Sequence, residues 1–238
     1  MKKIGAPFFK GQNRGIAFDM DGVIIDSMKY HVKSWKDTFY HFFNFHVDDI
    51  EIYLLEGLKG KDIIKKITSE HQIFLDSKKI SEVHDYKRNL FNNIFLLEPI
   101  PGIFDLINLV SNYEYKIALV TGTSRRIAIE SISSLDLLNF FQTIITGDDN
   151  IKGKPSPDPY LLAAKRLGIR NDLVLVIENA PEGIKSAKSA NMPCIAVQTT
   201  LDKKILSQAN KILPNINEVK NTIEREYRKS KGFGPWIL

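Results

Sequence analysis

The chain has 238 residues, 43% hydrophobic and 26% charged, which suits one medium domain or a core with a small second domain and excludes a disordered or fibrous protein. Its net charge of +5, with an isoelectric point near 9.1, is spread along the chain without an arginine-rich block, so small anions are expected ligands and nucleic acid is not. The single cysteine, Cys194, excludes an internal disulfide framework and reads as a small buried hydrophobe; no apolar run approaches a membrane span and no signal core follows Met1, so a cytoplasmic protein is expected.

Residues 1–14 are polar, with Gly and Pro, and read as an extension in which Phe8 and Phe9 have no evident docking place. Ile16-Ala-Phe18 reads as the end of a buried strand. From about 28 to 96 the spacing becomes helical. Tyr30, Trp35, Phe39, Phe42 and Phe43 mark one amphipathic helix, Ile63, Ile64 and Ile67 a second, and Val83, Tyr86, Leu90 and Ile94 a third. This block reads as a helical insertion between the first strand and the rest of an α/β core, with Pro99 and Pro101-Gly102 at its exit.

Strands and helices then alternate. The spacing predicts a helix over 104–110, a strand over 116–120, a loop and helix, a short strand over 144–146, and a helix over 160–167 stopped by Gly168. A strand over 173–177 is apolar throughout, as a parallel strand buried on both faces should be, and a helix over 181–190 opens with Pro181. A strand over 194–197 follows. The tail from 210 is expected to add one helix and then fray, its closing Phe233-Gly-Pro-Trp-Ile-Leu238 apolar but unplaced. The fold class is α/β, a doubly wound parallel sheet.

Ligands of such sheets bind beyond the carboxyl ends of the strands, and four polar clusters fall there. Asp19 and Asp21 follow the first strand, with Gly22 to turn the backbone. Buried together, two carboxylates need neutralising, and a divalent cation with oxygen ligands would do it. An EF-hand is excluded, because Val23 to Ile25 are apolar and no closing Glu follows. Thr121-Gly-Thr-Ser124 follows the strand ending at Val120 and opens a helix, a ready anion site. Lys154 lies in Gly153-Lys-Pro-Ser-Pro-Asp158. A P-loop over Gly147 to Lys154 is excluded, being one residue too long and having Pro155 where a metal-binding hydroxyl should stand. Glu178-Asn179 follows the strand ending at Ile177.

In order and placement, these clusters resemble the four motifs of the haloacid dehalogenase superfamily, in its phosphatase and phosphomutase branch, across nearly the whole chain. The resemblance implies a core of 15–27 and 98–238, a helical cap of 28–97 that closes over the site, and Mg²⁺ as cofactor. Asp19 would attack phosphorus, Asp21 would serve as general acid and base, and Thr121 and Lys154 would steady the phosphoryl group. Gly122, Thr123, His31 and Lys59 would bind substrate, while Asp19, Asp21, Glu178 and Asn179 would hold the metal. Asn179 departs from the commonest pattern, a second acid, and removes one negative charge. Tyr30-His-Val-Lys-Ser-Trp35 resembles the segment beyond the hinge of β-phosphoglucomutase, and Gly57-Leu-Lys-Gly-Lys-Asp62 the cap loop that dips into the site. That loop lacks the arginine a mutase would use for a second phosphate. The expected protein is a monomeric Mg²⁺-dependent phosphatase acting on a small phosphorylated metabolite, a sugar phosphate or phosphoglycolate. A phosphomutase and a non-catalytic binding module are the alternatives.

Overall fold

The computed structural model describes residues 14–231 and 234–238, so Phe8, Phe9, Phe233 and nearly all of the expected N-terminal extension lie outside the described residues. Six parallel strands form one sheet in the order β3-β2-β1-β4-β5-β6. They are β1 (Gly15–Phe18), β2 (Lys116–Val120), β3 (Thr143–Ile145), β4 (Val174–Glu178), β5 (Cys194–Val197) and β6 (Lys211–Leu213). The strands are apolar on both faces, and the two-residue period sorts them. Ile16, Phe18, Ile117, Leu119, Leu175 and Ile177 enter one core cluster, while Ala17, Ala118, Val120, Val174 and Val176 enter the other. The first layer is covered by α5 (Ile103–Asn112), α6 (Arg125–Ser134) and α9 (Ile216–Ser230), the second by α7 (Asp158–Leu167) and α8 (Pro181–Ser189). The strand order reverses between β1 and β4, and ligands of doubly wound sheets bind at that crevice.

Between β1 and α5 the chain makes the helical cap: α1 (Met28–Phe43), α2 (Asp49–Leu54), α3 (Gly60–Glu70) and α4 (Ser77–Ile94). Asn44 closes α1 in the left-handed conformation, an Asp48–Glu51 capping box opens α2, and the Asp76 side chain caps α4 through the Lys79 amide at 2.7 Å. The cap has its own core, built on Trp35, Phe39, Ile52, Ile64, Ile67 and Val83. At roughly 1.5–3 kcal/mol per fully buried aliphatic or aromatic side chain, that cluster holds the cap together without help from the sheet. The six-residue helix α2 was too short to register as a helical pattern.

The tail departs from expectation. It adds a strand, β6, before its helix, and it ends docked rather than frayed. Trp236 is buried, donates its indole N–H to the Leu173 carbonyl at 3.1 Å and lies under the Arg14 guanidinium at 4.5 Å. Arg14, within the stretch expected to be loose, is fully buried and donates to the Gly234 and Pro235 carbonyls at 2.8 and 2.7 Å. The two ends of the described chain thus lock each other at the β1 and β4 end of the sheet. Trp236→Ala should therefore cost about 3 kcal/mol, read as a lower midpoint in urea unfolding. An unchanged midpoint would show that the tail does not hold the core.

Candidate active site

The expected clusters converge at the carboxyl ends of β1, β2 and β4. Asp19 leaves β1 with its amide on the Ile177 carbonyl at 3.0 Å, which registers it beside Glu178 at the end of β4. The Lys154 ammonium joins the two acids. It donates to Asp19 Oδ1, to Glu178 Oε1 at 2.6 Å and to the Val120 carbonyl at 3.2 Å, and all three side chains are buried. A lysine there can remain charged only because it is fully paired. Burial acts to lower its pKa, but Asp19 and Glu178 outweigh this and the net shift is upward.

Glu178 is saturated. Its Oε1 also accepts from the Tyr160 hydroxyl at 2.7 Å, and its Oε2 accepts the Asn179 and Ala180 amides at 3.0 and 3.4 Å, at the start of α8. Neither oxygen is left open for the metal expected there. Gly183 is required by this approach, since a Cβ at that position would lie 1.8 Å from Glu178 Oε1. Tyr160 gave no signal in the sequence beyond its place on an amphipathic helix.

Asp21 is held from both domains. Ser27 donates to Oδ1 at 2.6 Å and Thr123 to Oδ2 at 3.3 Å, while the cap's His31 places Nε2 3.4 Å from Oδ1. The other His31 nitrogen, Nδ1, lies 2.7 Å from Lys87 Nζ. The ionised Asp21 carboxylate only accepts, so Nε2 carries the proton toward it and Nδ1 is the acceptor that faces Lys87. Burial acts to raise the Asp21 pKa, but the His31 and Ser27 bonds outweigh it and the carboxyl is held low. Burial, with Lys87 adding to it, lowers the His31 pKa and keeps the ring neutral. Burial also pushes Lys87 down to about 7, despite Asp21 and the faces of Trp35 and Phe91 at 5.0 and 4.7 Å.

The remaining expected residues divide. Thr121 is buried and its hydroxyl accepts the Thr123 amide at 3.1 Å, so that loop is organised by its own side chain. Gly122 and Thr123 line the cleft above Asp19 and Asp21, a cavity of about 440 Å³ between cap and core. Lys59 reaches the core, but its ammonium donates to the Ile151 carbonyl at 2.9 Å. The cap's wall of that cleft carries Lys61, His84, Lys87 and Arg88.

The donor set fits a hard cation. Asn179 is fully buried and donates Nδ2 to Glu56 Oε1 at 2.8 Å and to Thr200 Oγ1 at 3.2 Å, which leaves its Oδ1 without a hydrogen-bond partner. A buried carbonyl oxygen with nothing to accept from costs free energy unless a ligand meets it. Among the described residues, no group of three or more His, Cys, Asp or Glu is placed to hold a metal ion. Charge argues for a cation. Burial, with Glu178 and Asp21 adding to it, raises the Asp19 pKa to about 8 even though Lys154 opposes this. More positive charge than Lys154 alone is needed to keep Asp19 ionised at neutral pH. Glu56 is the residue sequence reasoning missed. Its one signal was an acid closing the apolar run Ile52 to Leu55, directly before the cap loop.

Comparison with known proteins agrees with this arrangement. A family profile described as haloacid dehalogenase-like hydrolase matches residues 16–197, so the chain belongs to that family. A phosphorylated carbohydrates phosphatase of Thermotoga maritima is 29% identical over 88% of this chain and 97% of that protein. The beta-phosphoglucomutase of Bacillus subtilis is 30% identical over 77% of this chain and 83% of that protein. The crystal structure of beta-phosphoglucomutase from Clostridium difficile superimposes with a TM-score of 0.80 at 25% identity, covering 91% of this chain and 97% of that one. The chain is an enzyme of the family's phosphoric monoester hydrolase and phosphomutase branch. Among the described residues no helix is long and apolar enough to cross a membrane.

The depressed Lys87 carries a pH signature. Between pH about 7 and 10.5 the unfolded chain holds a proton on Lys87 that the folded protein does not, so stability rises with pH across that window. Lys87→Met should remove that rise, on the order of a few kcal/mol, in urea unfolding repeated from pH 7 to 10. Parallel curves for the two proteins would show that Lys87 titrates normally.

Proposed function

We propose that the protein is a Mg²⁺-dependent phosphatase of small phosphorylated metabolites, sugar phosphates or phosphoglycolate, working through an aspartyl-phosphate. The observation that carries this reading is the buried Asp19–Lys154 pair beneath a cleft of metabolite size, with Asp21 two residues on and separately held. Asp19 attacks phosphorus as its ester bond breaks, and Asp21, ionised in the empty site, takes up a proton as the anionic substrate binds beside it and gives that proton to the departing oxygen. Water then attacks the aspartyl-phosphate, Asp21 takes its proton, and Asp19 is released with inorganic phosphate. The Gly122 amide and the Thr121 hydroxyl bind the phosphoryl oxygens, and Lys154, its protons on Asp19, Glu178 and the Val120 carbonyl, offsets their charge from beside Asp19. Glu178 and Tyr160 hold Lys154 in place. Asp19, the Asp21 carbonyl and Asn179 Oδ1 would hold Mg²⁺, which when bound offsets the charge between Asp19 and an anionic substrate.

The cap supports a division of labour. His31 aims Asp21, Lys87 meets the other His31 nitrogen, and Lys59 fastens the closed cap to the core. The His31–Asp21 contact is also the observation that favours the second reading, a phosphomutase, in which the same base would activate a hydroxyl of the bound intermediate instead of water.

Phosphate release from a panel of sugar phosphates and phosphoglycolate, with Mg²⁺ and with EDTA, tests the proposal. Release should require Mg²⁺, and Asp19→Asn should reduce it by roughly a thousandfold or more. Glucose-6-phosphate formed from β-glucose-1-phosphate with little free phosphate would make the enzyme a mutase. Undiminished turnover in Asp19→Asn would overturn the nucleophile.

A further inference from the structure

Glu56 lies in the cap, between α2 and α3, yet its carboxylate is buried against the core. Its Oε1 accepts from Asn179 Nδ2 at 2.8 Å, and its Oε2 is buried with no hydrogen-bond partner. Asn179 carries the matching orphan, Oδ1. The pair therefore presents two buried oxygens without donors, one from each domain, beside Asp19 and Asp21. Turning the amide over would give Oδ1 the Thr200 hydroxyl as a donor but would set it against the Glu56 carboxylate, trading the 2.8 Å N–H bond for two facing oxygens. Gly22, at φ +77°, permits the approach, since a Cβ there would lie 2.1 Å from Asn179 Nδ2 and 3.1 Å from Glu56 Oε1. Thr199 clamps that turn by donating to the Gly22 carbonyl at 2.6 Å.

Burial, with Asp19 adding to it, pushes the Glu56 pKa well above the usual carboxylate range, so an ionised carboxyl with one unsatisfied oxygen is expensive here if all it does is latch a cap. A neutral glutamine would accept the same Asn179 bond without the charge. The charge has a use only if a cation sits nearby, and the core position facing it is the one where this chain has an amide in place of an acid.

We infer that Glu56 is a cap-borne positioning residue for the cation site: it orients Asn179 so that Oδ1 faces the cation, and supplies from the cap the negative charge that Asn179 lacks. Cation binding and cap closure are then one coupled event, because the site's charge is complete only when the α2–α3 loop is down. The inference rests on the phosphate-transfer reading for the presence of the cation, and goes beyond it in making the cap part of the cation site.

The test measures Mn²⁺ binding to the full chain by water-proton relaxation, with Mg²⁺ as competitor, alongside amide hydrogen exchange over residues 55–59. In the wild type, the cation should slow exchange in that loop. Glu56→Gln should weaken cation binding about tenfold or more and abolish the cation's effect on exchange. Adding Asn179→Asp to Glu56→Gln should restore affinity, because the charge returns on the core side, but should leave exchange in the loop insensitive to the cation. Unchanged affinity in Glu56→Gln would reduce Glu56 to a latch and overturn the inference, as would failure of Asn179→Asp to rescue it. Mg²⁺-dependent phosphate release with a Glu56-independent affinity would sink this inference and leave the phosphatase standing. A Glu56-dependent affinity without turnover of any phosphoester would do the reverse.

Discussion

The site depends on one buried cation, Lys154, bridging two buried carboxylates from neighbouring strands. Taking such charges out of water costs several kcal/mol per ion, and the arrangement persists only because every partner is in place. Parallel pairing of β1 and β4 brings Asp19 and Glu178 level, and the Val120 carbonyl at the end of β2 takes another Lys154 proton. The amides before α8 and the Tyr160 hydroxyl satisfy the rest of Glu178. Removing Lys154 would leave two buried carboxylates facing each other uncompensated. The sheet, α7 and α8 are therefore a rigid mount for a single ammonium group, and Asp19 is what that mount presents to the cleft.

Around this centre the cap contributes polar side chains of its own. His31 reaches Asp21 with Lys87 on its other nitrogen, Glu56 reaches Asn179, and Lys59 reaches the carbonyls beyond β3. All four are ionisable, and two of them, Lys87 and Glu56, are buried at the domain boundary, where a purely structural contact would be apolar. Lys87 shows the cost, its ammonium pushed down to about 7 among aromatic rings. The cap's own hydrophobic core supports these polar contacts from its side of the boundary.

The α/β class, the helical insertion and the four strand-end clusters were legible because each rests on a local pattern. Apolar runs mark strands buried on both faces, and each run ends where polar residues meet the crevice. What was not legible depends on partners distant in sequence. Nothing local in Lys211-Ile-Leu213 distinguishes it from a loop; it is a strand because β5 offers an open edge. Trp236 docks because Arg14, at the other end of the described chain, lies over its ring. Glu178 follows an apolar strand just as a metal ligand would, and only the positions of Lys154, Tyr160 and the α8 amides show both its oxygens to be occupied. Glu56 sat one residue before the cap loop that sequence reasoning singled out, and its meaning appears only opposite Asn179.

The most direct measurement is acid quench of the enzyme within its first turnovers on a hydrolysed phosphoester, followed by mass mapping of the protein. A phosphoryl group on the peptide carrying Asp19, absent from the other carboxylates and labile to base, is the expected result. Turnover with no phosphoryl group on the protein, or with one on another residue, would contradict the assignment of Asp19 as the group that the Lys154 bridge holds ready.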